Sequence, residues 1–168
     1  MVRSHRTASN HAGAAPEHID ALSFSALRSL AENPEASPQT LALLSYDPET
    51  EVQMAVAWNP RTPATALARL AAGAPEVQAG VAQNPSSPPD VLDRLAGSPD
   101  ALIRSAAAVN ACLPLPILER LASDPDPQVR RQVARSCRAP FHLLARLAQD
   151  PDPRVRSTAE VEVLAWER

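Results

Sequence analysis

Leucine, valine and alanine recur along this chain in a fixed order, with polar residues between them. The run Pro63-Ala-Thr-Ala-Leu67-Ala-Arg-Leu70-Ala71 returns as Pro88…Leu92…Leu95-Ala96, Pro114…Leu118…Leu121-Ala122 and Pro140…Leu144…Leu147-Ala148. Ser37…Leu41…Leu44-Ser45 is a looser copy, and Ser23…Leu27…Leu30-Ala31 a partial one upstream. The anchors 37, 63, 88, 114 and 140 are separated by 26, 25, 26 and 26 residues. A second run follows each anchor: Val52…Val56-Ala57, Val77…Val81-Ala82, Ile103…Ala107-Ala108, Val129…Val133-Ala134 and Val155…Ala159. Both runs space their apolar residues at three to four positions, one face of an α-helical period.

Each repeat therefore predicts two short helices. Proline at the anchor suits the first helical turn, where a missing N–H is no loss. Asp47-Pro48, Asp124-Pro125 and Asp150-Pro151 are expected to cap the second helix. Asn33, Asn59, Asn84 and Asn110 follow the second helices, with Ser136 in the fourth copy, and an asparagine there tolerates a left-handed turn. Helices this short are unstable alone and must bury their faces on neighbouring layers. The expected fold is all-α: a solenoid of about five two-helix repeats with a period of about 26 residues. Residues 1–18 are read as a flexible tail, 19–36 as a capping helix and partial repeat, 37–162 as five tandem repeats, and 163–168 as a C-terminal cap. Glu160 and Glu162 break the Ala and Asn columns, so the end of the stack is expected to be polar.

The motif Asp124-Pro-Asp-Pro-Gln-Val129-Arg130-x-x-Val133-Ala134, joined to Pro-x-x-x-Leu-x-x-Leu-Ala, resembles the leucine-rich repeat variant family over roughly residues 20–162. The resemblance implies a right-handed superhelix of alternating α- and 3₁₀-helices, HEAT-like in its layering. A founding member of that family also carries a cysteine-ligated iron–sulfur cluster in an N-terminal domain. This chain has no cysteine before Cys112, so that feature does not carry over.

Composition narrows the function. The chain has 168 residues, 18 of them proline, and 3% aromatics, which suits thin layers better than one large core. The net charge of −3 argues against non-specific nucleic-acid binding. All 16 basic residues are arginine, so no lysine is present to act as a nucleophile. No catalytic motif stands out, and no catalytic residue, cofactor or metal is expected. His5, His11 and His18 fall in the tail, and His142 at an exposed helical position. Cys112 and Cys137, in successive inter-helix loops, are expected to be free thiols. No secretory signal or membrane span is read, so the expected compartment is the cytoplasm.

Departures from the repeat mark the candidate binding residues. Positions two and six after the first Val of each second helix read Met54/Trp58, Ala79/Gln83, Ser105/Val109, Arg131/Arg135 and Ser157/Val161. That strip passes from apolar and aromatic to cationic. Tyr46 is also out of pattern, in a column held elsewhere by Ala72, Gly97, Ser123 and Gln149. Tyr46, Met54, Trp58, Arg131 and Arg135 are the expected protein contacts, since Trp and Arg are favoured interface anchors. Arg69, Arg94, Arg120 and Arg146 form a first-helix column that could meet an anionic partner or simply face solvent. Arg104, Arg130 and Arg156, with Asp124 and Asp150, resemble the interlayer ladders of HEAT repeats. The expected role is a non-enzymatic protein-binding scaffold, monomeric or a weak dimer. A nucleic-acid-binding solenoid and an accessory subunit of a bacterial enzyme complex or biosynthetic pathway are the alternatives.

Overall fold

A computed structural model describes residues 22–166 as a stack of helices, with no strand among those residues. Eleven helices follow in chain order: α1 (Phe24–Glu32), α2 (Pro38–Leu44), α3 (Thr50–Trp58), α4 (Ala64–Leu70), α5 (Pro75–Gln83), α6 (Pro89–Ala96), α7 (Ala101–Ala108), α8 (Leu115–Leu121), α9 (Pro127–Ala134), α10 (Phe141–Leu147) and α11 (Pro153–Trp166). The pairs α2/α3, α4/α5, α6/α7, α8/α9 and α10/α11 form layers 1 to 5, and α1 packs on α3 ahead of layer 1. The second helices of successive layers stack directly on one another, whereas the first helices touch each other sparsely. Tail residues 1–18, with His5, His11 and His18, lie outside the described residues.

The repeated apolar columns are the core. Leu41, Leu67, Leu92 and Leu118 are fully buried, as are Val52, Val77, Val129 and Val155 on the second helices. They merge into one continuous cluster from Ala31 to Ala159. Each layer is thus stabilised by burial against the next, since helices such as α4 and α5, of seven and nine residues, do not stand alone. The helices are α throughout. The 3₁₀ character expected of them is confined to their ends, where Ala72 N donates to Arg69 O and Gly73 N to Leu70 O.

Three local expectations are corrected. The anchor prolines Pro63, Pro88, Pro114 and Pro140 sit at the N-cap, one residue outside the helix. Their extended backbone turns the chain in, and their carbonyls accept the first helical bonds, as from Leu67 N to Pro63 O. Proline at the first helical residue is found instead in α2, α5, α6, α9 and α11. The capping aspartates are Asp100, Asp126 and Asp152, which accept from Leu102 N, Gln128 N and Arg154 N. Asp124 and Asp150 close a turn one step earlier, accepting from Asp126 N and Asp152 N. Asn59 and Asn84 are extended (φ −73° and −67°), not left-handed. Their side chains have other work, described below.

Polar and apolar residues mix on the last helix of the stack, where Arg154, Ser157 and Glu160 are exposed. Glu162 stands where an asparagine would close the helix, and α11 runs on for 14 residues. Val161, Leu164 and Trp166 are left exposed on it.

Candidate functional site

Among the described residues, polar side chains hold the two edges of the stack, with the second-helix face between them. At one edge, each buried asparagine caps the helix of the layer before it. Asn59 Nδ2 donates to Ala31 O and Asn33 O, at 2.8 Å each. Asn84 reaches Ala57 O (2.7 Å) and Asn59 O (2.8 Å), and Asn110 reaches Ala82 O (2.7 Å) and Asn84 O (2.9 Å). Those alanine carbonyls lie in the last turn of a second helix and have no partner of their own within it. The asparagine Oδ1 accepts a backbone N–H two residues on, from Arg61, Ser86 and Cys112 respectively. The rail stops at Ser136, whose Oγ only accepts from Arg138 N at 3.3 Å.

At the opposite edge, Arg104 forks onto the Asp124 carboxylate of the next layer, with Nε–Oδ2 2.7 Å and Nη2–Oδ1 2.9 Å. Its Nη1 donates back to Ser98 O and Pro99 O. Arg130 repeats this with Asp150 at the same two distances, and with Asp124 O and Pro125 O. Arg156 makes only the backward bonds, to Asp150 O and Pro151 O. Burial alone would raise the Asp124 carboxyl, but the Arg104 fork, the Asp126 N–H and nearby charge hold it below the usual range. Asp150 is lowered mainly by its bond from Arg130, against burial. Layers 1 and 2 carry Gln53 and Gln78 in the arginine column, each donating only backward, to Asp47 O and Gly73 O.

The first-helix arginines are less available than a solvated column would be. Arg69 stacks 3.3 Å from the Tyr46 ring centroid, half-buried, in a groove shared with Ser45, Gln53 and Gly73. Arg120 is paired with Asp93 Oδ1 at 2.7 Å, Arg94 points at Ala68 O, and Arg146 is exposed. Tyr46 therefore does not join Met54 and Trp58. It occupies the turn before α3, while Trp58 ends that helix, and the two line separate grooves.

Met54 and Trp58 do come together. They border a groove of about 300 Å³ with Arg28, Glu32 and Glu51. Trp58 is 50% exposed and leans over layer 2, where a Cβ on Gly80 would come within 3.3 Å of its Nε1. A second groove, of about 450 Å³, crosses layers 2 to 4 and is walled by Ala79, Leu102, Ala106 and Val109. Gln83, Ser105, Gln132 and Arg135 supply its polar lining. Arg135 is exposed, whereas Arg131 is half-buried and donates from Nε to Thr158 Oγ1 at 3.3 Å.

Sequence reasoning missed Leu102 and Gln132 as parts of this face. Leu102 is 77% exposed in a column otherwise held by Glu51, Glu76, Gln128 and Arg154, which was a readable signal. Gly80 beside Trp58 was another, since a missing Cβ marks room for a large neighbour. Cys112 and Cys137 are exposed free thiols, and His142 lies 3.6 Å from Glu119. No group of three or more metal-ligating side chains occurs among the described residues. No described helix is long and apolar enough to cross a membrane.

Comparison with known proteins finds two repeat classes along the chain. Residues 51–111 match the family model of the leucine-rich repeat variant domain, and residues 115–139 that of the HEAT repeat. No curated protein matches. Among solved structures, the crystal structure of an engineered protein superposes with a TM-score of 0.52 at 20% identity, over 85% of this chain and 89% of that one. A leucine-rich repeat variant with a novel repetitive structural motif gives 0.39 at 25% identity, over 80% of this chain and 64% of that one.

Proposed function

We propose that this chain is a non-enzymatic protein-interaction scaffold, binding its partner along the second-helix face from Met54 and Trp58 towards Arg131 and Arg135. Helical repeats of both matched kinds typically mediate protein interactions. The observation that carries the reading is Trp58. An indole left half exposed between two grooves, on a face whose edges are already held by internal bonds, is a ready interface anchor. Arg135 is the exposed cation at the far end, and Arg131 lies beside it, bound to Thr158.

Affinity capture from a lysate of the source organism tests this. Trp58→Ala and Arg135→Glu are each expected to remove the same proteins from the captured set. An unchanged set with both variants rejects the strip. Nucleic-acid binding has weaker support, because the arginines at 104, 130, 131 and 120 already hold internal partners. Salt-dependent binding to duplex DNA at low ionic strength is the result that would favour it instead.

A further inference from the structure

The arginine–aspartate edge carries two grooves that match position by position, one across layers 4 and 5 and one across layers 1 and 2. In the first, Asp150 lies alongside Arg146, and Arg130 forks onto its carboxylate. In the second, of about 280 Å³, Arg69 stands at the Arg146 position. Gln53 replaces Arg130 there, and Gly73 replaces Asp150. The first-helix arginine is kept and the carboxylate is lost.

Three residues that break the repeat converge on Arg69. Arg94 and Arg120 reach back to the preceding layer, to Ala68 O and Asp93. The counterpart of Ala68 O for Arg69 is Ala42 O, and that carbonyl already accepts from Ser45 Oγ. Ser45 stands in a column held later by Ala71, Ala96, Ala122 and Ala148. Tyr46 puts its ring 3.3 Å from the Arg69 guanidinium and fixes its plane. Gly73 leaves the groove without the side chain that would answer it. Arg69 thus makes no side-chain hydrogen bond to any described residue, and its Nη2 is buried without an acceptor. Such donors are costly and uncommon in a folded chain, and an acceptor brought from outside accounts for this one.

The lining selects the acceptor. A planar guanidinium fork matches a carboxylate. Arg69 is the charged member of the groove's lining, and Asp47 and Glu49 follow Tyr46 closely in the chain. One positive charge in that setting suits a monoanion better than a phosphate dianion. Beside it, Tyr46 is 73% exposed and Leu43, three residues earlier, is 54% exposed, which adds apolar surface for a polypeptide.

We infer that the Arg69–Tyr46 groove receives an aspartate or glutamate side chain of a partner polypeptide, with a neighbouring apolar residue over Tyr46 and Leu43. The incoming carboxylate plays in layer 2 the part that Asp150 plays in layer 5. This contact is separate from the Trp58 groove and does not depend on it.

The test is NMR of the isotope-labelled full chain, following the Arg69 Nε–H signal, which is assigned by its loss in Arg69→Gln. The probe is acetyl-Leu-Glu-Leu-amide. A saturating shift is expected with a Kd of about 1–10 mM, and binding at least about tenfold weaker for acetyl-Leu-Gln-Leu-amide and for inorganic phosphate. Tyr46→Phe is expected to keep binding, and Tyr46→Ala to weaken it at least about tenfold without moving the thermal midpoint. Gly73→Asp supplies the carboxylate from within, so it is expected to shift the Arg69 signal without peptide and to abolish peptide binding. A Cβ at Gly73 comes within 3.1 Å of Leu70 O, so Gly73→Ala controls for crowding and is expected to keep binding. Equal binding by the glutamine peptide or by phosphate, indifference to Tyr46→Ala, or no shift at about 50 mM overturns the inference. Trp58→Ala is expected to leave this binding intact, so the groove and the Trp58 face fail separately.

Discussion

Layers 1 to 3 and layers 3 to 5 are built on the same apolar columns but are tied together at opposite edges. In the first half, asparagine amides cross from Asn59, Asn84 and Asn110 to the preceding layer. Hydroxyls of Thr62 and Ser87 add bonds to Val56 O and Val81 O, at places held later by Leu113 and Ala139. In the second half, guanidinium–carboxylate forks cross forward from Arg104 and Arg130. Capped second helices also belong to this half, at Asp100 and Asp126, while α3 and α5 have no side-chain cap. Stacking alone fixes the distance between layers but leaves them free to slide. A polar rail fixes register, and one rail per interface suffices. Layer 3 holds both kinds, Asn110 behind it and Arg104 ahead of it, and the two matched stretches meet just after it.

The ionic rail is the one whose loss should cost most. Arg104→Met strands a carboxylate at Asp124 whose side chain is 5% exposed. Removing one partner of a buried pair typically costs about 3–5 kcal/mol. Asp124→Asn added to that variant keeps the turn acceptor, removes the charge, and is expected to recover part of the loss in denaturant titrations. Asn84→Ala is expected to cost less, about 2–3 kcal/mol. It leaves Ala57 O and Asn59 O without their side-chain donor but strands no charge. If Asn84→Ala proves the costlier change, the amide rail is the main tie.

Acid separates the halves without mutation. Asp124 and Asp150 have folded-state pKa values below the ordinary carboxylate value. The unfolded chain therefore binds more protons as pH falls below about 4, and this contribution to stability is present above that range and lost through the folded-state values. The asparagine rail does not titrate. Amides of α7 to α11 are expected to exchange hydrogen faster on acidification, before those of α3 and α5. Uniform loosening would mean that the rails do not divide the stack.

What could be read from the chain was what repeats within one layer. Leucine and valine columns at helical spacing are a local signal, and Leu67, Val77 and Leu92 are buried where the period placed them. The arginine ladder was legible as a set of residues but not as a set of pairs. Asp124 lies next to Arg130 in sequence, yet its fork comes from Arg104, 20 positions earlier, because partners are set by the step between layers. The asparagines were read as turn residues, and their Oδ1 atoms do accept the backbone N–H two positions on, but the rail itself was missed because the acceptors of Nδ2 lie 25 to 28 residues back. Tyr46 and Trp58 were grouped because both break the pattern. A helix of nine residues lies between them and sends them to different grooves.

The smallest expected effect is also the most direct comparison of the halves. Ser136 interrupts the asparagine column one layer after Asn110, at the same 26-residue step. Ser136→Asn would place a carboxamide opposite the carbonyls of Ala108 and Asn110, as Asn110 faces Ala82 and Asn84. It would also give Arg138 N a better acceptor than the present 3.3 Å hydroxyl. Asn110 O already accepts from Leu113 N, and neither carbonyl is a charge, so the expected gain is about 1 kcal/mol. A raised thermal midpoint, with slower exchange at the end of α7, would show that the rail extends by residue identity alone. A neutral or negative result would mean that the layers joined by Arg104 and Arg130 sit in a slightly different register. The two rails would then be alternative geometries, and layer 3 the joint where one gives way to the other.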